Sequence, residues 1–275
     1  MPARLASVRS RLLQLGRALP GVVRRSIPGP LQRGIRWALG DEASASYRII
    51  GEGEALKHAS PAWFDPAVVA RQHEAYQRLL ADMRAGRPRV DLTSLGAALR
   101  CTGLVRPVLL EVGCGSGYLH EVIEHLMGPV RYLGVDRSPA MLGRGRREYP
   151  SLGLALGDAT ALPFASRSVD VVLNGAALMH TVRWRLAVEE AARVSRGWGI
   201  FHTVPLLRRR PTTFLEKRAY GRPTVEVILN EEELLGQLAA AGLHVRSRLP
   251  GIPYVIGPLL GEPTVTVTLV CELRS

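Results

Sequence analysis

The chain is 275 residues long, 47% hydrophobic, and carries a formal net charge of +12. That size and apolar content suit one ordinary domain plus an extension, and no run approaches about 18 uninterrupted apolar residues, so no membrane-spanning helix is expected. The three cysteines, Cys101, Cys114 and Cys271, lack CxxC or metal-ligand spacing, which predicts a reducing compartment, small buried thiols and no metal.

Residues 1–40 hold eight arginines and no acid, leaving only +4 on the rest of the chain. Leu5, Val8, Leu12, Leu15 and Leu19 recur at helical spacing between arginines, and Pro20 and Gly21 end the pattern. A basic amphipathic tail of this kind can lie on an anionic membrane surface. Docking on the body or on a second subunit, and an arginine-rich targeting segment, are the competing readings. No secretory leader is expected, because the tail has no continuous apolar core. The expected location is cytoplasmic, with the tail at the inner face of the membrane.

Residues 41–104 read as a helical extension or lid. A helix starts at Asp65, a good N-cap followed by Pro66, and stops near Gly86; a shorter one follows Asp91 and ends before Gly103. From 105 the pattern alternates. Strands are expected at 108–112, 131–136, 152–156, 169–174, 199–204, 244–249 and 264–271, and helices at 116–127, 139–147, 184–195 and 231–241. Asn230 and Glu233 form a capping box for the last helix, and Gly242 stops it. Five parallel strands closed by an antiparallel pair make an α/β fold, a doubly wound, seven-stranded, mostly parallel sheet, over residues 105–275.

The strand Val108–Val112 carries one acid, Glu111, and runs into Gly113, Gly115 and Gly117. A glycine turn between strand and helix exposes backbone N–H groups to a ligand. The spacing is G-x-G-x-G, whereas dinucleotide sites use G-x-G-x-x-G with a pyrophosphate on the helix end. Glu111 would repel a pyrophosphate and suits a ligand with a positive end, such as the ammonium and sulfonium groups of S-adenosylmethionine. Ligands of such sheets bind at the C-terminal strand ends. There Asp136 can accept both hydroxyls of a ribose. Asp158 can accept from an adenine amino group while the Ala159 N–H donates to the ring. Asn174 ends the fourth strand and is grouped with these residues.

Taken together, Leu110-Glu-Val-Gly-Cys-Gly-Ser-Gly117, Gly134-Val-Asp-Arg-Ser138, Gly157-Asp-Ala-Thr-Ala-Leu-Pro-Phe164, Ser168-Val-Asp-Val-Val-Leu173, His180 and Glu190-Ala-Ala-Arg-Val194 resemble class I S-adenosylmethionine-dependent methyltransferases of the type 11 group. The resemblance covers about residues 105–204. It implies that Gly113, Gly115 and Gly117 cradle the methionine part, that Asp136 holds the ribose and Asp158 with Ala159 the adenine, and that Glu111 lies under the amino group. Arg196-Gly-Trp-Gly199 departs from the Lys-Pro-Gly-Gly-like turn usual before strand five. Segments around Ile200–Pro205 and 212–231 resemble bacterial methyltransferases associated with surface-polysaccharide or secondary-metabolite synthesis, which implies a small-molecule or glycan-like acceptor.

A hydroxyl acceptor needs a base. His202, at the end of strand five, is the first candidate and His180, after strand four, the second. Asn174-Gly-Ala-Ala177 is not the Asn-Pro-Pro-Tyr type that grips planar amino groups, and no Pro-Cys pair follows a strand, so nucleobase methylation is disfavoured. An RNA-modifying enzyme anchored by the tail, and a non-catalytic cofactor-binding scaffold, are the alternatives. The stretch 205–230, with Arg208, Arg209, Arg210, Lys217, Arg218 and Arg222, is expected to lid the site and either meet an anionic acceptor or form a solvated face. Trp63, Gln72 and Tyr76 are expected to close over the cofactor.

Overall fold

The computed structural model describes residues 47–58, 61–219, 222–254 and 256–274. The tail expected over residues 1–40 lies outside the described residues. The described residues fall into two compact units, a large one over 48–254 and 264–274 and a small one that includes 256–263. The described part of the small unit contains a short helix, Gly257–Leu260.

The described chain opens with β1 (Tyr47–Ile50), α1 (Glu52–His58), a 3-10 turn (Pro61–Phe64), α2 (Pro66–Arg84) and α3 (Val90–Arg100). Asp65 caps α2 as expected, its carboxylate accepting the Ala67 N–H at 2.8 Å. Asp91 does not cap α3. Its two oxygens take Nε and Nη2 of Arg89, both at 2.6 Å, and the helix begins at Val90, two residues earlier than expected, without a side-chain cap.

The alternating part follows as β2 (Val108–Val112), α4 (Tyr118–Met127), β3 (Arg131–Asp136), α5 (Pro139–Glu148), β4 (Gly153–Leu156), β5 (Val169–Gly175), a 3-10 turn (Leu178–His180), α6 (Trp184–Val194) and β6 (Ser195–Leu207). The hairpin β7 (Thr213–Ala219) and β8 (Arg222–Asn230), then α7 (Glu231–Ala240), β9 (Leu243–Tyr254) and β10 (Thr264–Leu273) complete it. Strands β4-β3-β2-β5-β6 are parallel neighbours. β10 lies antiparallel between β6 and β9, which gives the expected seven-stranded sheet. Its alternating Thr-Val pattern reads as a half-exposed strand, yet Val267, Leu269 and Cys271 pack on one face and Val270 on the other.

The sheet is covered on both faces, which is why its strands are apolar throughout. On one face Leu110, Val172 and Phe201 pack against Trp184, Val188, Leu234 and Leu238 of α6 and α7. On the other, Leu109, Val171 and Ile200 pack against Leu80, Leu95 and Leu119 of α2, α3 and α4. The stretch 205–230 is largely structured sheet. β6 runs on to Leu207, and β8 joins it through Leu206↔Leu229 and Leu207↔Asn230, followed outward by β7 and β1. Val225 packs with Ile50, Ala55 and Val182 to hold this cap. Among the described residues, no helix is long and apolar enough to cross a membrane.

Candidate active site

The glycine turn has the conformation that its sequence requires. Gly113, Gly115 and Gly117 sit at φ +71°, +56° and +82°, where a side chain is disfavoured, and a Cβ on Gly113 would lie 2.2 Å from the Ala177 Cβ. Positive φ at Gly117 also delays α4 to Tyr118, two residues past the expected start.

Asp136 ends β3 beside this turn. Its Oδ2 accepts the Gly115 N–H and its Oδ1 the Ser138 N–H, each at 2.8 Å. Burial pushes the carboxyl up from its ordinary value, with the two N–H groups opposing. Each carboxylate oxygen accepts more than one hydrogen bond, so capacity for a diol is retained. Asp158 holds the next strand end. Burial raises its carboxyl, but the N–H and hydroxyl of Thr160, both on Oδ1, more than offset this and keep it below the usual range. Ala159 is half-buried against the core.

Glu111 is sealed beneath the turn at 1% exposure. The Tyr132 hydroxyl donates to its Oε2 at 2.5 Å, and a Cβ on Gly175 would meet its Oε1 at 2.7 Å. Burial pushes Glu111 up to about 8; Tyr132 works against this and Asp136 adds to it. A buried carboxyl poised in this way suits a ligand that brings a positive end. Asn174 is 2% exposed, and its Oδ1 accepts the Leu178 N–H at 2.7 Å, so its amide oxygen holds the turn after β5.

The two histidines come from neighbouring segments: His180 from the 3-10 turn after β5, and His202 from inside β6, which runs on to Leu207 past the expected strand end. His202 lies opposite Gly175 at the end of β5. His180 gives Nδ1 to the Val225 carbonyl at 2.9 Å; since a carbonyl only accepts, the proton is on Nδ1 and the neutral ring keeps a lone pair at Nε2. Burial, helped by Lys217, pushes His180 down to about 4. His202 is 3% exposed, not open to solvent at a mouth, and its Nδ1 pairs with Thr268 Oγ1 at 2.8 Å. Burial pushes it down to about 4 as well, while Asp91 favours the charged ring and Arg89 opposes it.

The N-terminal extension closes this end of the sheet. The Ser138 hydroxyl donates to the Trp63 carbonyl at 2.6 Å, and the Trp63 ring meets His180 edge-on at 5.1 Å. Tyr76 accepts from Gln72 Nε2 and stacks on Tyr118 at 3.7 Å. The Arg89–Asp91 pair at the start of α3 and Tyr118 at the start of α4 stand beside these groups; the sequence reading gave none of the three a role in the site. The basic residues of the cap are not a bare cationic rim. Lys217 pairs with Glu226, Arg222 with Asp65 and Arg208 with Glu231. Among the described residues no cluster of three or more His, Cys, Asp or Glu could hold a metal ion.

Three comparisons bear on this geometry. The methyltransferase domain family matches residues 110–203. A probable S-adenosylmethionine-dependent methyltransferase of Mycolicibacterium smegmatis is 36% identical over 152 residues, 55% of this chain and 56% of that protein. A probable phthiotriol/phenolphthiotriol dimycocerosates methyltransferase 2 of Mycobacterium ulcerans is 38% identical over 95 residues, 34% of this chain and 37% of that protein. The chain therefore spans about half or less of the length of these curated relatives. The crystal structure of a S-adenosylmethionine-dependent methyltransferase from Clostridium acetobutylicum superposes with a TM-score of 0.51 at 13% identity, covering 74% of this chain and 99% of that one, which shows the shared fold.

Proposed function

We propose that this chain, a class I S-adenosylmethionine-dependent methyltransferase by the domain it carries at residues 110–203, methylates a hydroxyl of a small-molecule or glycan-like acceptor. The observation that carries this reading is the placement of the glycine turn and Asp136 at the ends of β2 and β3, with a part-buried His180 after β5 and a buried His202 in β6 level with the end of β5. S-adenosylmethionine supplies an electrophilic methyl on a sulfonium. The side-chain-free turn would receive its methionine part, Asp136 its ribose hydroxyls, and Asp158 with Ala159 its adenine. Glu111 would meet the ammonium.

His202 is the proposed base. With the cofactor bound, the His202 ring would take the proton that the acceptor hydroxyl gives up on methylation. The Asp91 carboxylate favours the imidazolium that forms. His180 has the fixed tautomer of a base, which supports it as a second assignment, but the Lys217 cation beside it opposes protonation. The buried surroundings exclude water, so hydrolysis of the sulfonium is suppressed.

Calorimetric titration with S-adenosylhomocysteine, using NADH as control, tests the cofactor reading. Binding of the first alone is expected; binding of NADH alone overturns it. Transfer of tritiated methyl from S-adenosylmethionine to hydroxylated metabolites and glycans then tests the acceptor class, and His202→Ala is expected to lower turnover without weakening S-adenosylhomocysteine binding.

A further inference from the structure

The backbone around His202 is held in a conformation that the sequence alone disfavours. Val267 pairs with Val204 and Leu269 with Phe201, so His202 and Thr203 together oppose the single residue Thr268. This is a bulge on β6, and it turns Phe201 and Val204 to the same apolar cluster although they are three residues apart. Thr203 takes φ +53°, an outlier for a β-branched residue, and Ala176, at the end of the neighbouring β5, takes φ +68°. Both converge on the His202 carbonyl, which accepts from Thr203 Oγ1 at 2.8 Å and from the Ala176 N–H at 3.1 Å. Strained backbone persists where its surroundings over-determine it, and bulges re-aim side chains. Here the result aims the imidazole at one partner, Thr268 Oγ1, whose residue is 0% exposed.

We infer that Thr268 is a positioning residue for the methyl-transfer step: its hydroxyl oxygen accepts the His202 Nδ1–H and so leaves the Nε2 lone pair to take the acceptor proton. The inference rests on the reading of His202 as the base. A threonine hydroxyl can donate or accept, and only acceptance keeps Nε2 basic. Were the hydroxyl to donate to Nδ1, the neutral ring would carry its proton on Nε2 and could not act as a base there. Asp91 and Arg89, at the start of α3, are the charged groups that act on this ring.

The test is the nitrogen-15 spectrum of the histidine rings in the full chain with S-adenosylhomocysteine bound, His202 being assigned by the signals lost in His202→Gln. Expected is a protonated Nδ1 with an unprotonated Nε2, retained in Thr268→Ser and redistributed toward Nε2–H in Thr268→Val. A wild-type ring protonated at Nε2 overturns the inference without any variant, and an unchanged ring in Thr268→Val overturns it as well. On an acceptor that is turned over, Thr268→Val is expected to lose at least about tenfold in kcat with cofactor affinity kept, and Thr268→Ser to restore most of it. Full turnover by His202→Gln would instead remove the base assignment itself, whatever the tautomer, so the two failures are told apart.

Discussion

The Tyr132 hydroxyl donates to the Glu111 carboxylate at 2.5 Å in the floor of the glycine turn, where both side chains are nearly sealed from water. Burial pushes Glu111 up to about 8. An acid whose folded pKa lies above its ordinary value of 4.5 binds more protons folded than unfolded between those limits. The contribution of this group must therefore fall as pH rises through that window. Below about pH 6.5 the two histidines, pushed down to about 4, work in the opposite direction. Denaturant midpoints should therefore decline in the wild type between pH 6.5 and 8, and Glu111→Gln should flatten that part of the slope. Saturating S-adenosylmethionine, which brings an ammonium, should also flatten it.

Asp136 has two structural donors, the N–H groups of Gly115 and Ser138, besides its proposed role toward a ribose. Asp136→Ala removes all of these acceptors. Affinity for S-adenosylhomocysteine should fall at least about tenfold, in keeping with charge-assisted hydrogen bonds worth about 1.5–3 kcal/mol. Calorimetry measures the loss, with far-ultraviolet circular dichroism to show that the sheet is kept.

Gly113→Ala meets two obstacles, a backbone at φ +71° and a Cβ only 2.2 Å from that of Ala177. Left-handed strain and overpacking together should cost about 2–4 kcal/mol. Combining it with Ala177→Gly removes the collision but not the strain. The double variant should therefore recover part, and not all, of the thermal midpoint and of the cofactor affinity.

In the cap, Lys217 pairs with Glu226, which is 0% exposed. Burial lowers Lys217 to about 8. Removing one member leaves a buried charge without that partner, at a cost of about 3–5 kcal/mol. Lys217→Met should show that loss in equilibrium unfolding, and Lys217→Met with Glu226→Leu should regain most of it. An unchanged midpoint in the single variant would mean that the pair is not a structural one.

What could be read from the chain by itself was local in origin. The five parallel strands announce themselves as short apolar runs with helical segments between them, and Asp65 and Asn230 cap their helices through bonds spanning two or three residues. The turn at Gly113, Gly115 and Gly117 and the strand-end acids Asp136 and Asp158 were legible for the same reason, since a parallel sheet brings successive strand ends together. The rest depended on partners remote in sequence. Residues 205–230 show only a charged stretch until β8 finds the end of β6 and Lys217 finds Glu226. His202 looks open until β10 slides in beside β6 and Thr268 reaches its ring. Hydrophobic period and capping chemistry act within a few residues; which polar groups are buried, and against what, is decided only when strands sixty residues apart share one sheet.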